Sequence, residues 1–160
     1  MGARRRIGGW ARSLGWLAVL GCGLMGSGIA QVAAAAGYTT VVRDVSDAVM
    51  AKGKAGIAKS LDKFVEKGKL AAADRDATLG RMSYVTDVAA LKDCDIVIEA
   101  VTEDLELKND LWKQLDALCP AHTIFASNTS SLTIAAMASA TARADRFVGL
   151  HFFNPAPLMQ

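Results

Sequence analysis

The chain has 160 residues, 52% hydrophobic and 21% charged, the balance of an ordinary folded domain with a real core rather than a disordered chain. Formal net charge is +2; Arg4, Arg5, Arg6 and Arg12 account for four of the 18 basic residues, and the remaining 14 are scattered among 16 acidic ones. There is no basic stripe with interleaved aromatics, which excludes nucleic acid as an expected partner.

In chain order, residues 1–15 form a basic extension that fits no element, either disordered or a misassigned start. From there short apolar runs alternate with longer helical ones. Leu17–Leu20 reads as a strand, and Gly26–Ala36 as a helix stopped by Gly37. Thr39–Arg43 is β-branched and reads as a strand. Ala48–Lys67 and Ala71–Leu79 have helical patterns, and Tyr84–Val85 is a short strand. Asp95–Ala100 is a buried strand, Leu105–Leu118 an amphipathic helix, and Thr123–Ser127 a strand. Leu132–Ser139 reads as a helix and Phe147–Leu150 as the last strand. Strands alternating with helices imply parallel pairing by right-handed crossovers. The expected fold is an α/β, Rossmann-type, doubly wound, mostly parallel sheet with helices on both faces, spanning 16–160. Cys22, Cys94 and Cys119 lack the paired spacing of a metal site or a disulfide framework; no metal is expected. Three unpaired thiols suit a reducing cytoplasm.

One stretch, "WLAVLGCGLMGSGIAQ" at 16–31, admits three readings. Behind three arginines it imitates a secretory signal, and "VLGC" imitates a lipoprotein cleavage site at Cys22. The uncharged run Leu14–Gly37 is also long enough to span a bilayer. The third reading, a dinucleotide loop, makes more demands, and all are met. A strand ends at Gly21, the glycines follow G-x-G-x-x-G as Gly21, Gly23 and Gly26, and a helix starts at once. An acid, Asp44, closes the next strand 23 residues after Gly21. Gly21 permits the tight turn, Gly23 lets backbone approach a pyrophosphate, and Gly26 lets helix and strand pack closely. The first helical turn, with Leu24 and Met25, offers unpaired N–H groups and a positive dipole end to phosphate. Asp44 would accept hydrogen bonds from the adenosine ribose and repel a 2′-phosphate, which favours NAD over NADP; the neighbouring Arg43 argues slightly the other way. A membrane partner is therefore not expected.

Two later stretches each leave a strand: "ASNTSSL" at 126–132 and "GLHFFNPAP" at 149–157. In this architecture ligands bind beyond the carboxyl ends of the strands. His151 is thereby a candidate general base, since a histidine titrates close to working pH. Taken alone it reads sooner as a satisfied core or loop histidine. Ser130 either caps a helix or holds a substrate oxygen, and Asn128 and Asn154 could do either job. Glu103 and Lys108 lie where a cofactor ribose would pass; structurally, Lys108 could instead pair with Asp104.

"GCGLMGSGIAQVAAAAGY", "EAVTEDLELK", "FASNTSSL" and "RFVGLHFFNPAP" together resemble the NAD-binding domain of the L-3-hydroxyacyl-CoA dehydrogenases, which include the bacterial 3-hydroxybutyryl-CoA dehydrogenases. The resemblance implies oxidation of a (3S)-3-hydroxyacyl-CoA to the 3-oxoacyl-CoA with NAD, or the reverse reduction of acetoacetyl-CoA. It implies His151 as catalytic base, Ser130 on the substrate oxygen, and Asn154 beside nicotinamide and substrate. Gly21, Gly23, Leu24, Met25, Gly26, Asp44, Glu103, Lys108, Ser130 and Asn154 match cofactor positions, and Ser60, Lys67 and Ser130 match coenzyme A positions. The family pairs its histidine with a glutamate about a dozen residues downstream, whereas this chain stops nine residues after His151. A fragment is therefore expected, without that glutamate and without the helical domain that completes the acyl pocket and the homodimer. The competing expectation is an NAD-binding module without turnover. A 6-phosphogluconate-type reductase is disfavoured by "HFFNPAP".

Overall fold

The computed structural model describes residues 15–159. The basic extension therefore lies, apart from Gly15, outside the described residues. Six strands, β1 (Trp16–Leu20), β2 (Thr39–Arg43), β3 (Met82–Val85), β4 (Ile96–Glu99), β5 (Ile124–Ser127) and β6 (Phe147–Gly149), form one sheet in the order β3-β2-β1-β4-β5-β6. Every pairing is parallel. The chain order reverses between β1 and β4, and that switch point opens a crevice at the carboxyl ends of the strands.

The helices are α1 (Leu24–Ala35), α2 (Asp47–Glu66), α3 (Ala72–Gly80), α4 (Leu105–Leu118) and α5 (Ile134–Ala138). Alternation along β1 explains the two layers. Leu17 and Val19 pack with Ile29, Ala30, Val42 and Met50 under α1 and α2. Ala18 and Leu20 face the other way, with Val97, Trp112, Leu115 and Phe125 under α4. On that side Trp112 sits 5.0 Å from Phe125 and 4.8 Å from Phe147, ring centre to ring centre. The uncharged run thus becomes a strand and a helix covered by the rest of the domain. No described helix is long and apolar enough to cross a membrane.

Local chemistry sets the element ends. The Ser46 hydroxyl accepts the Val49 N–H at the start of α2, and the Asp104 carboxylate accepts the Leu107 N–H at the start of α4. Gly37, with φ of +101°, ends α1 as expected. Helix α5 is shorter than its sequence pattern. The Thr129 hydroxyl accepts the Ser131 and Leu132 N–H groups, so that segment turns before it coils. Strand β3 starts two residues earlier than the β-branched pattern suggests, because pairing with β2 recruits Met82 and Ser83.

Candidate active site

The glycine loop is built as its spacing requires. Gly21 has φ of +94°, and a Cβ there would meet the Ala100 carbonyl oxygen at 2.6 Å. A Cβ at Gly26 would lie 1.9 Å from the Gly21 carbonyl oxygen, so the helix enters hard against the loop's own backbone. In front of Gly23 nothing stands within 4 Å. No side chain caps the first turn of α1, so its N–H groups face that open space. The loop has the shape of a pyrophosphate cradle. Asp44 sits beside it: one carboxylate oxygen accepts the Cys22 N–H at 2.8 Å, which fixes the acid against the loop. Arg43 does not compete there, because its Nε donates to the Thr86 carbonyl at 3.0 Å.

Beneath the crevice lies a buried ion network. Lys108 and Glu99 are almost wholly enclosed, and the Lys108 Nζ meets the Glu99 Oε1 at 3.1 Å. Glu99 also accepts the Ser127 hydroxyl at 2.6 Å and the Val101 N–H at 2.7 Å. Lys108 reaches on to Glu103, which accepts the Thr129 hydroxyl and the Ser130 N–H. Partial burial pushes the Glu103 carboxyl up. The Lys108 ammonium and the Thr129 and Ser130 donors more than offset this and bring it down to about 2. Lys108 therefore does not pair with Asp104, which is the cap of α4 and has its carboxylate turned to backbone. Nor is Ser130 a helix cap: its hydroxyl has no hydrogen-bond partner among the described residues.

His151 stands two residues beyond β6, and its Nδ1 lies 3.1 Å from the Asn128 carbonyl oxygen. A carbonyl only accepts, so Nδ1 carries the proton in the neutral ring and the Nε2 lone pair is left over. The Asn128 side chain accepts the Phe152 N–H at 2.7 Å, pinning the same loop a second time. The Phe153 ring meets His151 edge to face at 5.5 Å.

A cavity of about 320 Å³ joins these parts, lined by Met25, Glu103, Lys108, Ser130, His151 and Asn154 among others. Gly23 and Leu24 of the loop line a neighbouring cavity of about 510 Å³, which shares Asn154 with this one. Ser60 and Lys67 lie apart. They line a separate cleft of about 370 Å³ with Lys63, Lys69, Phe64 and Pro155. All three cysteines are buried. Burial pushes the Cys94 thiol up to about 12 and the Cys119 thiol to about 11, which leaves them unreactive.

The profile of the 3-hydroxyacyl-CoA dehydrogenase NAD binding domain matches residues 16–160. The chain belongs to the 3-hydroxyacyl-CoA dehydrogenase family. Its NAD-binding domain is the part present, and NAD is the cofactor that domain takes. Among relatives, the mitochondrial hydroxyacyl-coenzyme A dehydrogenase of Rattus norvegicus is 51% identical over 89% of this chain and 47% of its own length. A probable 3-hydroxybutyryl-CoA dehydrogenase of Deinococcus radiodurans is 49% identical, over 89% of this chain and 51% of its own. The solved (S)-3-hydroxybutyryl-CoA dehydrogenase of Ralstonia eutropha superposes with a TM-score of 0.89 at 47% identity, covering 92% of this chain and 52% of that one. The chain thus spans about half the length of the curated relatives it matches.

Several residues that shape the site escaped the sequence pattern. Glu99 reads there as one letter in an apolar strand, and its role depends on Lys108 arriving from α4. Gly53 lies in mid-helix, where a Cβ would sit 2.3 Å from the Cys22 Sγ; it lets α2 press against the glycine loop. That one had a signal, since glycine is unfavourable inside a helix unless something approaches closely.

Proposed function

We propose that this chain is the nucleotide-binding part of an NAD-dependent (3S)-3-hydroxyacyl-CoA dehydrogenase, with acetoacetyl-CoA as the substrate of the reverse reaction. The loop at Gly21, Gly23, Leu24, Met25 and Gly26 would hold the pyrophosphate, Asp44 the adenosine ribose, and Glu103 and Lys108 the far ribose. The fit rests on the open space before Gly23 and the uncapped first turn of α1. NAD, when bound, would supply the acceptor for the hydride that leaves C3 of the substrate.

The chain's own residues handle the rest. His151 Nε2 receives the proton of the 3-hydroxyl as that carbon becomes a ketone, and returns it in the reduction. Asn128 holds the ring in the tautomer that makes Nε2 the base. The Ser130 hydroxyl hydrogen-bonds the substrate oxygen, its N–H being already committed to Glu103. Asn154 orients nicotinamide and substrate from the rim they share. Ser60 and Lys67 hold coenzyme A at the lysine-rich cleft, where cations suit its phosphates. The observation that carries this reading is His151, with its tautomer set by a backbone carbonyl, in one cavity with Ser130, Asn154 and Glu103. Three buried thiols suit a reducing compartment; the cytoplasm is the expectation, while several relatives are named as mitochondrial.

The test is a fluorescence titration with NADH, followed by acetoacetyl-CoA, first alone and then with the C-terminal domain of a relative supplied in trans. NADH consumption in either arm supports the dehydrogenase. Binding with no consumption in both arms leaves only the coarser NAD-binding module. Failure to bind NADH overturns both.

A further inference from the structure

Three cavities lie end to end along one side of the domain. The 370 Å³ cleft and a 510 Å³ cavity share Gly56, Ser60, Pro155 and Pro157. The 510 Å³ cavity and the 320 Å³ one that holds His151 share Asn154. Chemistry changes along this groove. One end is cationic, with Lys59, Lys63, Lys67 and Lys69. The other holds the proposed base and oxyanion partner. The middle is walled mainly by apolar groups, Val49, Ile57 and Ala156 among them, with Gly23 and Leu24 of the cofactor loop at its edge; its charged lining residue, Lys52, is exposed.

Into this middle section faces Gln31. It is only 4% exposed, on a helix otherwise apolar but for Ser27. The Ser27 hydroxyl is already spent on the Cys22 carbonyl at 2.9 Å. The Gln31 carboxamide makes no hydrogen bond among the described residues. The amide is not sealed off, since the buried unpartnered side-chain atoms of the described residues are Asn109 Oδ1 and Trp112 Nε1, and it opens only into this cavity. Its donors and acceptor are therefore free for something that enters there.

We propose that Gln31 hydrogen-bonds an amide of the pantetheine arm of coenzyme A as that arm crosses the middle cavity. The inference rests on the acyl-CoA reading above. Between its phosphorylated head and its thioester, coenzyme A carries an uncharged aliphatic arm with two secondary amides. Such an arm needs apolar walls and a neutral partner that both donates and accepts, which a carboxamide is. The order along the groove matches the order along the molecule: lysines for phosphate, Gln31 for the arm, His151 and Ser130 for the acyl end.

Calorimetric titration of the chain with coenzyme A and with adenosine 3′,5′-bisphosphate, which has the head without the arm, separates the parts. Gln31→Met, close to isosteric, should weaken coenzyme A about three- to tenfold and leave the bisphosphate unchanged. Lys67→Ala should weaken both. Unchanged coenzyme A affinity in Gln31→Met, with Lys67 still required, overturns the Gln31 assignment and spares the acyl-CoA reading. Equal weakening of both ligands also overturns it. If the parent chain binds neither, the acyl-CoA reading itself fails, and the assignment with it. NADH affinity and the thermal transition report whether Gln31→Met folds. Should it not, Gln31→Asn keeps a neutral amide but draws it back by one methylene, and must show the same selective loss.

Discussion

Replacing Lys108 with methionine tests the buried network most directly. The ammonium is 1% exposed and lies 3.1 Å from Glu99, itself 0% exposed. Methionine matches the length of the stem, so little volume is lost and the main effect is electrostatic. Glu99 would remain a buried carboxylate with no cation beside it. Breaking a buried pair from one side costs about 3–5 kcal/mol. The Ser127 hydroxyl and Val101 N–H still satisfy Glu99, which puts the expectation at the low end, about 3 kcal/mol. That is a large fraction of the stability of any small domain. Urea unfolding followed by the emission of buried Trp112 reads it. Glu103 would lose its anchor too, and with it Thr129 and Ser130, so NADH affinity should fall in the same variant. The double variant Glu99→Gln/Lys108→Met removes the stranded charge and should recover a good part of the loss. A cost below about 1 kcal/mol for the single variant, or a double variant no more stable than the single, would refute the account of the network as an ion pair that each partner requires.

Gly26→Ala places a methyl 1.9 Å from the Gly21 carbonyl and should abolish NADH binding in fluorescence titration; normal affinity would contradict the geometry of the loop. His151→Gln should lower acetoacetyl-CoA reduction, wherever turnover is obtained, by about 10²–10⁴-fold while sparing NADH affinity, as steady-state kinetics beside a binding curve would show. Glu103, with its carboxyl lowered to about 2, contributes stability that is fully present above the ordinary carboxylate range and is lost as pH falls through about 2. The thermal midpoint of the parent should therefore exceed that of Glu103→Gln at neutral pH, and the gap should close between about pH 4.5 and 2. Arg143 is 8% exposed, donates to the Asp116, Cys119 and Pro120 carbonyls, and stacks 4.5 Å from the Phe125 ring; Arg143→Lys cannot reproduce that fork and should cost about 2 kcal/mol in urea unfolding.

What sequence alone disclosed and what it hid divide on physical lines. The glycine loop was legible because its parts are consecutive: strand, Gly21, Gly23, Gly26 and helix follow within 20 residues. His151 was legible by position, since a residue just past a strand of a parallel sheet must stand at the ligand edge. Its partner was not. Asn128 meets His151 only because β5 and β6 pair in one register, with Ser127 opposite Gly149. Lys108 misled for a similar reason. Helical spacing offers it Asp104, but the cap geometry turns that carboxylate to backbone and the crevice supplies Glu99 and Glu103 instead. Gln31 was hidden inside an alanine-rich helix, where a single amide carries no periodic signal.

Strand β6 is three residues long and among the described residues pairs with β5 alone. The histidine that would move the proton thus hangs from the most weakly secured strand, whereas the glycine loop is fastened to the central ones, β1 and β4. Such margins open on their own, at a fraction of the free energy of global unfolding. The two halves of the proposed chemistry then have separate lifetimes: under mild denaturant the cradle for the nucleotide persists while the proton acceptor swings out of reach. Catalysis would fade first, and cofactor affinity would outlast it.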